Sequence, residues 1–166
     1  TVSQTQSIID AVRSEGDAAL LRLTHELDGV ELVALRVTDA EFAAARAELA
    51  SEDVQALELS IRNVERFHRA ALPESLSLEV QPGVQCERLV RPLRSVGLYV
   101  PAGSAPLPST VVMLAVPAAI AGCPERVLCT PPQRDGRASA AVLVAAQLCR
   151  LTQVFKIGGA QAIAAM

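Results

Sequence analysis

Two short stretches put small or hydrogen-bonding residues where a ligand could reach the backbone. The first is "GLYVPAGSAPLPS", residues 97–109. It opens like a buried strand and runs into small residues and prolines. Pro101, Pro106 and Pro108 fix φ and remove N–H groups, so the loop is stiff. Ala102, Gly103, Ser104 and Ala105 leave room for close approach to the main chain. Ser109 and Thr110 are placed to cap the following helix, whose N-terminus favours an anion. Tyr99, the only tyrosine, sits near the mouth. The competing reading is a loop that packs against a neighbour, with Tyr99 in the core. The second stretch is Gly158-Gly159-Ala160-Gln161. Two glycines between an apolar strand and a helix make a phosphate-friendly turn. The spacing is not GxGxxG, and a Gly pair taken alone is more often a plain strand-to-helix turn than a cofactor site. The sequence does not say which way Gln161 faces.

Other chemistry is sparse. His25 and His68 lie on expected helices among charged residues, with no His, Cys or carboxylate partner at ligand spacing, so no metal site is expected. No GxSxG, P-loop or HExxH motif occurs. The net charge of −3, with acids and bases interspersed, argues against nucleic-acid and anionic-membrane partners. The longest apolar run, Val111 to Cys123, contains Pro117 and is too short to span a bilayer. Residues 1–10 carry no signal-peptide pattern. Cys86, Cys123, Cys129 and Cys149 form no CxxC pair and each sits among apolar neighbours. That predicts reduced core thiols and a cytoplasmic location.

The 166 residues amount to one domain, or a domain with an appendage. Hydrophobic residues make up 51% and aromatics 2%, so Ala, Val, Leu and Ile must build the core. Helical spacing of Ile8, Ile9, Val12, Ala19, Leu20 and Leu23 predicts a helix over 3–28, with Gly16 its weak point and Gly29 beyond its end. Residues 32–37 read as a short strand. Thr38 and Glu41 form a capping-box pattern for a helix to about Ala50. Ser51 is placed to cap the next helix, which Pro73 ends. Residues 76–93 alternate around Pro82-Gly83 as a β-hairpin. Then come a strand (96–100), a helix (about 109–121), a strand (126–130), a helix (137–150), a strand (153–157) and a helix from Gly159. Apolar strands alternating with helices predict a parallel sheet covered on both faces. The expected organisation is a helical arm (1–72) and the first part of an α/β domain (73–166). The two glycine-bearing stretches, with Tyr99 and Gln161, then lie on the same side of the sheet at the carboxyl ends of neighbouring parallel strands, where open α/β sheets bind ligands.

The segments "RPLRSVGLYVPAGSAPLPSTVVMLAVPAAIAGCPERVLCTPP", "AAQLC" and "VFKIGGAQAIAAM" resemble the N-terminal part of the histidinol dehydrogenase family. So do "GDAALLRLTHELDGVEL" and "NVERFHRAALPES" in the arm. The resemblance covers nearly the whole chain. It implies a partly Rossmann-like core related to aldehyde dehydrogenases and a homodimer. It implies oxidation of L-histidinol to L-histidine through an aldehyde, in two successive NAD-dependent steps with one zinc per active site. The tyrosine of "GLY" and the glutamine of "GGAQA" are NAD contacts in that family, which implies Tyr99 and Gln161 here.

Two departures stand out. The family loop usually reads PGG where this chain has Pro101-Ala102-Gly103, and "QRDGRAS" resembles an insertion. The family's zinc ligands, its Glu-His pair and its substrate contacts fall in a part with no counterpart here. The expectation is therefore a truncated member with no catalytic or metal residue in this chain and no activity alone. The alternative is a degenerate, non-catalytic paralogue that binds a nucleotide or a partner. The cofactor half of another aldehyde-dehydrogenase-like enzyme is a third reading, which the loop motif disfavours.

Overall fold

A computed structural model describes residues 2–102 and 105–166. Gly103 and Ser104, part of the loop singled out above, lie outside the described residues. The elements are α1 (Val2–Glu15), α2 (Asp17–Asp28), α3 (Asp39–Glu48), α4 (Ser51–Ala70), β1 (Leu76–Gln81), β2 (Val84–Arg88), β3 (Ser95–Tyr99), α5 (Pro108–Ile120), β4 (Glu125–Thr130), α6 (Ala140–Leu148), β5 (Gln153–Lys156) and α7 (Gly159–Ala165). The first expected helix is broken in two at Gly16, which adopts φ 60°. Gly29 closes α2 in the left-handed region at φ 69°, its N–H donating to the His25 carbonyl. Glycine holds that conformation without a Cβ penalty.

The capping box at Thr38 forms: the Glu41 N–H donates to Thr38 Oγ1 and the Thr38 N–H donates to Glu41 Oε2. Two other caps do not. Helix α4 already includes Ser51, and its cap is the extended Ala50. Helix α5 starts at Pro108, so Ser109 and Thr110 fall inside it and Leu107 takes the cap position without a side-chain bond. Proline at the first helical position costs no hydrogen bond there, which moves the start upstream of the hydroxyls.

Strands β1 and β2 form the expected antiparallel hairpin, with Leu78 opposite Cys86. The other three strands form a parallel sheet in the order β3-β4-β5. The expected strand at 32–37 is reduced to one antiparallel bridge between Arg36 and Phe155. It still covers the outer edge of β5: Val37 N–H donates to the Val154 carbonyl at 2.9 Å and Lys156 N–H to the Leu35 carbonyl at 2.7 Å.

Side chains alternate across the sheet. Leu98, Leu128 and Val154 join the core with Val112, Val142 and Ala145 from α5 and α6, and α4 and α3 pack behind these helices. Tyr99, Cys129 and Phe155 point to the other face, among Leu20, Leu23 and Ala162 from α2 and α7. Helix α1 lies against α7. This is the α/β architecture expected, with helices first and a small parallel sheet after them.

Candidate functional site

The three parallel strands end side by side at Tyr99, Thr130 and Lys156. Tyr99 closes β3, and its hydroxyl oxygen accepts a hydrogen bond from the Gly159 N–H at 3.0 Å. That bond spans the edge of the sheet, since β4 lies between β3 and β5. The two stretches singled out in the sequence therefore meet at one carboxyl edge. The expectation that their strands are neighbours fails, because β4 pairs with both and lies between them. The central strand separates them, and the length of the tyrosine ring closes the gap.

The turn after β5 is shaped by its glycines. A Cβ on Gly158 would stand 2.7 Å from Pro131 Cγ, so the turn lies tight on the end of β4. Gly159 adopts φ +62°, and a Cβ there would stand 2.6 Å from Gln161 Oε1. Gln161 is 1% exposed, and its Oε1 has no hydrogen-bond partner among the described residues. An unmet amide oxygen in so buried a place costs roughly 1–3 kcal/mol unless a donor arrives. In this turn, expected to suit a phosphate, the Gly159 N–H is taken by Tyr99.

Ala102 is half-buried at the start of the proline-rich loop. Thr130 was not singled out in the sequence. It is 1% exposed, its Oγ1 lacks a partner among the described residues, and it sits on the α5/α6 face opposite to Tyr99. A hydroxyl residue closing an apolar strand just before Pro131-Pro132 was the available signal. Glu41 stands out in the sequence only as a capping residue, and Lys156 does not stand out at all. Lys156 Nζ donates to Glu41 Oε1 at 2.7 Å, joining β5 to the first turn of α3. Burial alone would raise the Glu41 carboxyl, but the bonds from Lys156 and Thr38 outweigh it and hold the group below its ordinary range.

Cys129 lies on the tyrosine side of β4, and burial pushes its thiol up to about 11. Cys149 is also pushed up to about 11, by burial first. Neither is a thiolate nucleophile at neutral pH. Cys86 departs from expectation: it is exposed on β2, because the hairpin stands away from the core. His25 is exposed and His68 half-buried. Among the described residues no three His, Cys, Asp or Glu side chains gather as a metal site, and no helix is long and apolar enough to cross a membrane. A cavity of about 270 Å³ opens on the α7 face nearer the amino ends of the strands, between Gly97, Val127, Phe155 and Met166.

The family model described as Histidinol dehydrogenase matches residues 1–166. The chain is 57% identical over 160 residues to a histidinol dehydrogenase of Xanthomonas campestris pv. campestris, covering 96% of this chain and 37% of that protein. The histidinol dehydrogenase of Pectobacterium atrosepticum is 50% identical over 159 residues, covering 96% and 35%. The crystal structure of histidinol dehydrogenase from Elizabethkingia anophelis superposes with a TM-score of 0.95 at 38% identity, over 99% of this chain and 38% of that one. The chain thus spans little more than a third of the length of these relatives.

Proposed function

Because the chain belongs to the histidinol dehydrogenase family, we propose that it is the cofactor-side portion of an enzyme that oxidises L-histidinol to L-histidine with NAD. The observation that carries this reading is the Tyr99–Gly159 hydrogen bond beside a buried Gln161 whose amide oxygen has no partner among the described residues. Tyr99 fixes the turn, and the turn fixes Gln161. Gly158 and Gly159 keep side chains out of the approach, so a dinucleotide can come close to the main chain. The free Oε1 accepts a hydrogen bond from a hydroxyl or amide of that ligand. NAD, when bound, supplies the hydride acceptor.

Zinc has no fitting donor set among the described residues, so no step is assigned to it here. The zinc ligands, the proton-transfer residues and the histidinol contacts belong to the part of the family beyond the region matched. The complete enzyme is a cytoplasmic homodimer that runs the oxidation in two steps through an aldehyde. The chain alone turns over no histidinol; sustained turnover by chain freed of full-length enzyme would contradict this.

Calorimetric titration with NAD tests the cofactor site. Gln161→Ala should weaken binding by about 1 kcal/mol, roughly fivefold. Tyr99→Phe removes the acceptor for the Gly159 N–H and should weaken NAD by a similar amount. A folded wild-type chain that gives no NAD heat, or a Gln161→Ala variant with unchanged affinity, counts against the assignment.

A further inference from the structure

At the opposite end of the sheet, the amino end of β4, a cavity of about 500 Å³ is lined by Arg69, Arg126 and Arg150 with a single carboxylate, Glu65. Its walls are otherwise apolar, from Ala115, Val116 and Ile120 of α5 and Leu148 of α6. Three arginines line this one hollow against a single acid, and the bonding of Arg126 is incomplete. Among the described residues, Arg126 makes one long bond, Nη1 to the Cys149 carbonyl at 3.5 Å, and its buried Nε has no partner. If closing the end of α6 were its whole task, that donor would be left unmet at a cost. Glu65 does not fill the gap, because it is paired at 3.5 Å with Arg69.

Arg150 adds a second, independent sign. Its N–H donates to the Gln147 carbonyl, and the Leu151 N–H donates to the Ala146 carbonyl, both at 2.9 Å. This is a Schellman end to α6, and its left-handed position normally belongs to glycine. Arg150 occupies it at φ 58°, the only described non-glycine residue with positive φ. A residue that accepts such strain signals a task for its side chain. Among the described residues, the Arg150 guanidinium has no hydrogen-bond or ion-pair partner.

We propose that this cavity binds a phosphate group, either the free ion or a small phosphomonoester, held by Arg126 and Arg150. A guanidinium edge, Nε with one Nη, matches two oxygens of such an anion side by side. Arg126 presents that edge once its side chain turns its buried Nε into the cavity, and Arg150 supplies the second charge, while the apolar wall gives an ester's organic part a surface. The site is separate from the cofactor edge and does not depend on the NAD reading.

The test is a titration of ¹⁵N-labelled protein with inorganic phosphate, following the arginine Nε–H resonances. The Arg126 signal should shift to saturation within a few millimolar. Arg150→Gly suits the left-handed backbone and keeps the fold, and it should weaken binding about tenfold. Gln161→Ala should leave the phosphate curve unchanged. Glycerol phosphate binding tighter than inorganic phosphate identifies a monoester site; equal binding identifies the free ion. A linear drift matched by sodium chloride at equal ionic strength overturns the proposal. So does an unchanged curve in Arg150→Gly, or a curve displaced by Gln161→Ala.

Discussion

Gly159 meets two demands at once. Its φ of +62° lies where a Cβ is strained, and the space a Cβ would take is held by Gln161 Oε1 at 2.6 Å. Gly159→Ala should therefore act twice. The left-handed backbone costs about 1–2 kcal/mol of stability, read by urea denaturation. The end of Gln161 must also swing out of its buried place, so NAD affinity should fall at least as far as in Gln161→Ala. Calorimetry that finds full affinity in Gly159→Ala shows that the position of Gln161 is irrelevant to binding. At this scale the sequence was partly legible. Tyr99 and Gln161 stand out as hydrogen-bonding residues beside glycines at strand ends. The bond between Tyr99 and Gly159 is not legible, because it joins residues 60 apart in the chain. Thr130 shows in the sequence only as a hydroxyl residue closing an apolar strand before Pro131-Pro132; that its hydroxyl goes unmet among the described residues depends on the packing around it.

Element boundaries follow the same division between local and distant causes. The capping box at Thr38 is readable because donor and acceptor are three residues apart. The lysine that completes it is not, since Lys156 lies 115 residues from Glu41. This pair fastens α3 to β5 just before the glycine turn, beside the backbone bonds from residues 35 and 37. With side chains only 10% and 20% exposed, it is shielded enough to matter. Glu41→Gln should cost about 1–3 kcal/mol at neutral pH. Glu41 is held below its ordinary value of 4.5 in the fold. Its contribution is therefore full well above that value, and it is lost as pH falls below 4.5 through the lower folded value. Urea midpoints of the wild type and Glu41→Gln should differ by a constant amount above about pH 5.5 and converge in acid. A gap that stays constant down to acid unfolding would remove the carboxylate from the account.

At the scale of the whole molecule, the sheet and the hairpin treat their surfaces differently. The outer edge of β5 is covered by residues 35–37. The β1–β2 hairpin is exposed along its whole length and offers two open edges. Its faces are sorted. Ser77, Glu79, Gln85 and Glu87 share one side, where Gln85 Nε2 donates to Ser77 Oγ at 2.8 Å. Leu76, Leu78 and Val80 share the other with Cys86, and these three large side chains are 53%, 54% and 51% exposed. A lone two-stranded ribbon is marginal in water, and an apolar face with open edges on either side is a template for pairing. The chain should therefore self-associate as concentration rises, with the ribbon as the contact. Light scattering behind size-exclusion chromatography should show a mass that grows with loading. Leu78→Lys puts a charge at the centre of the apolar face without touching the core, so it should return the chain toward its monomer mass of 17.5 kDa and leave the urea midpoint unchanged. Should the wild type hold that monomer mass at every loading, or Leu78→Lys associate equally well, the ribbon is not the contact.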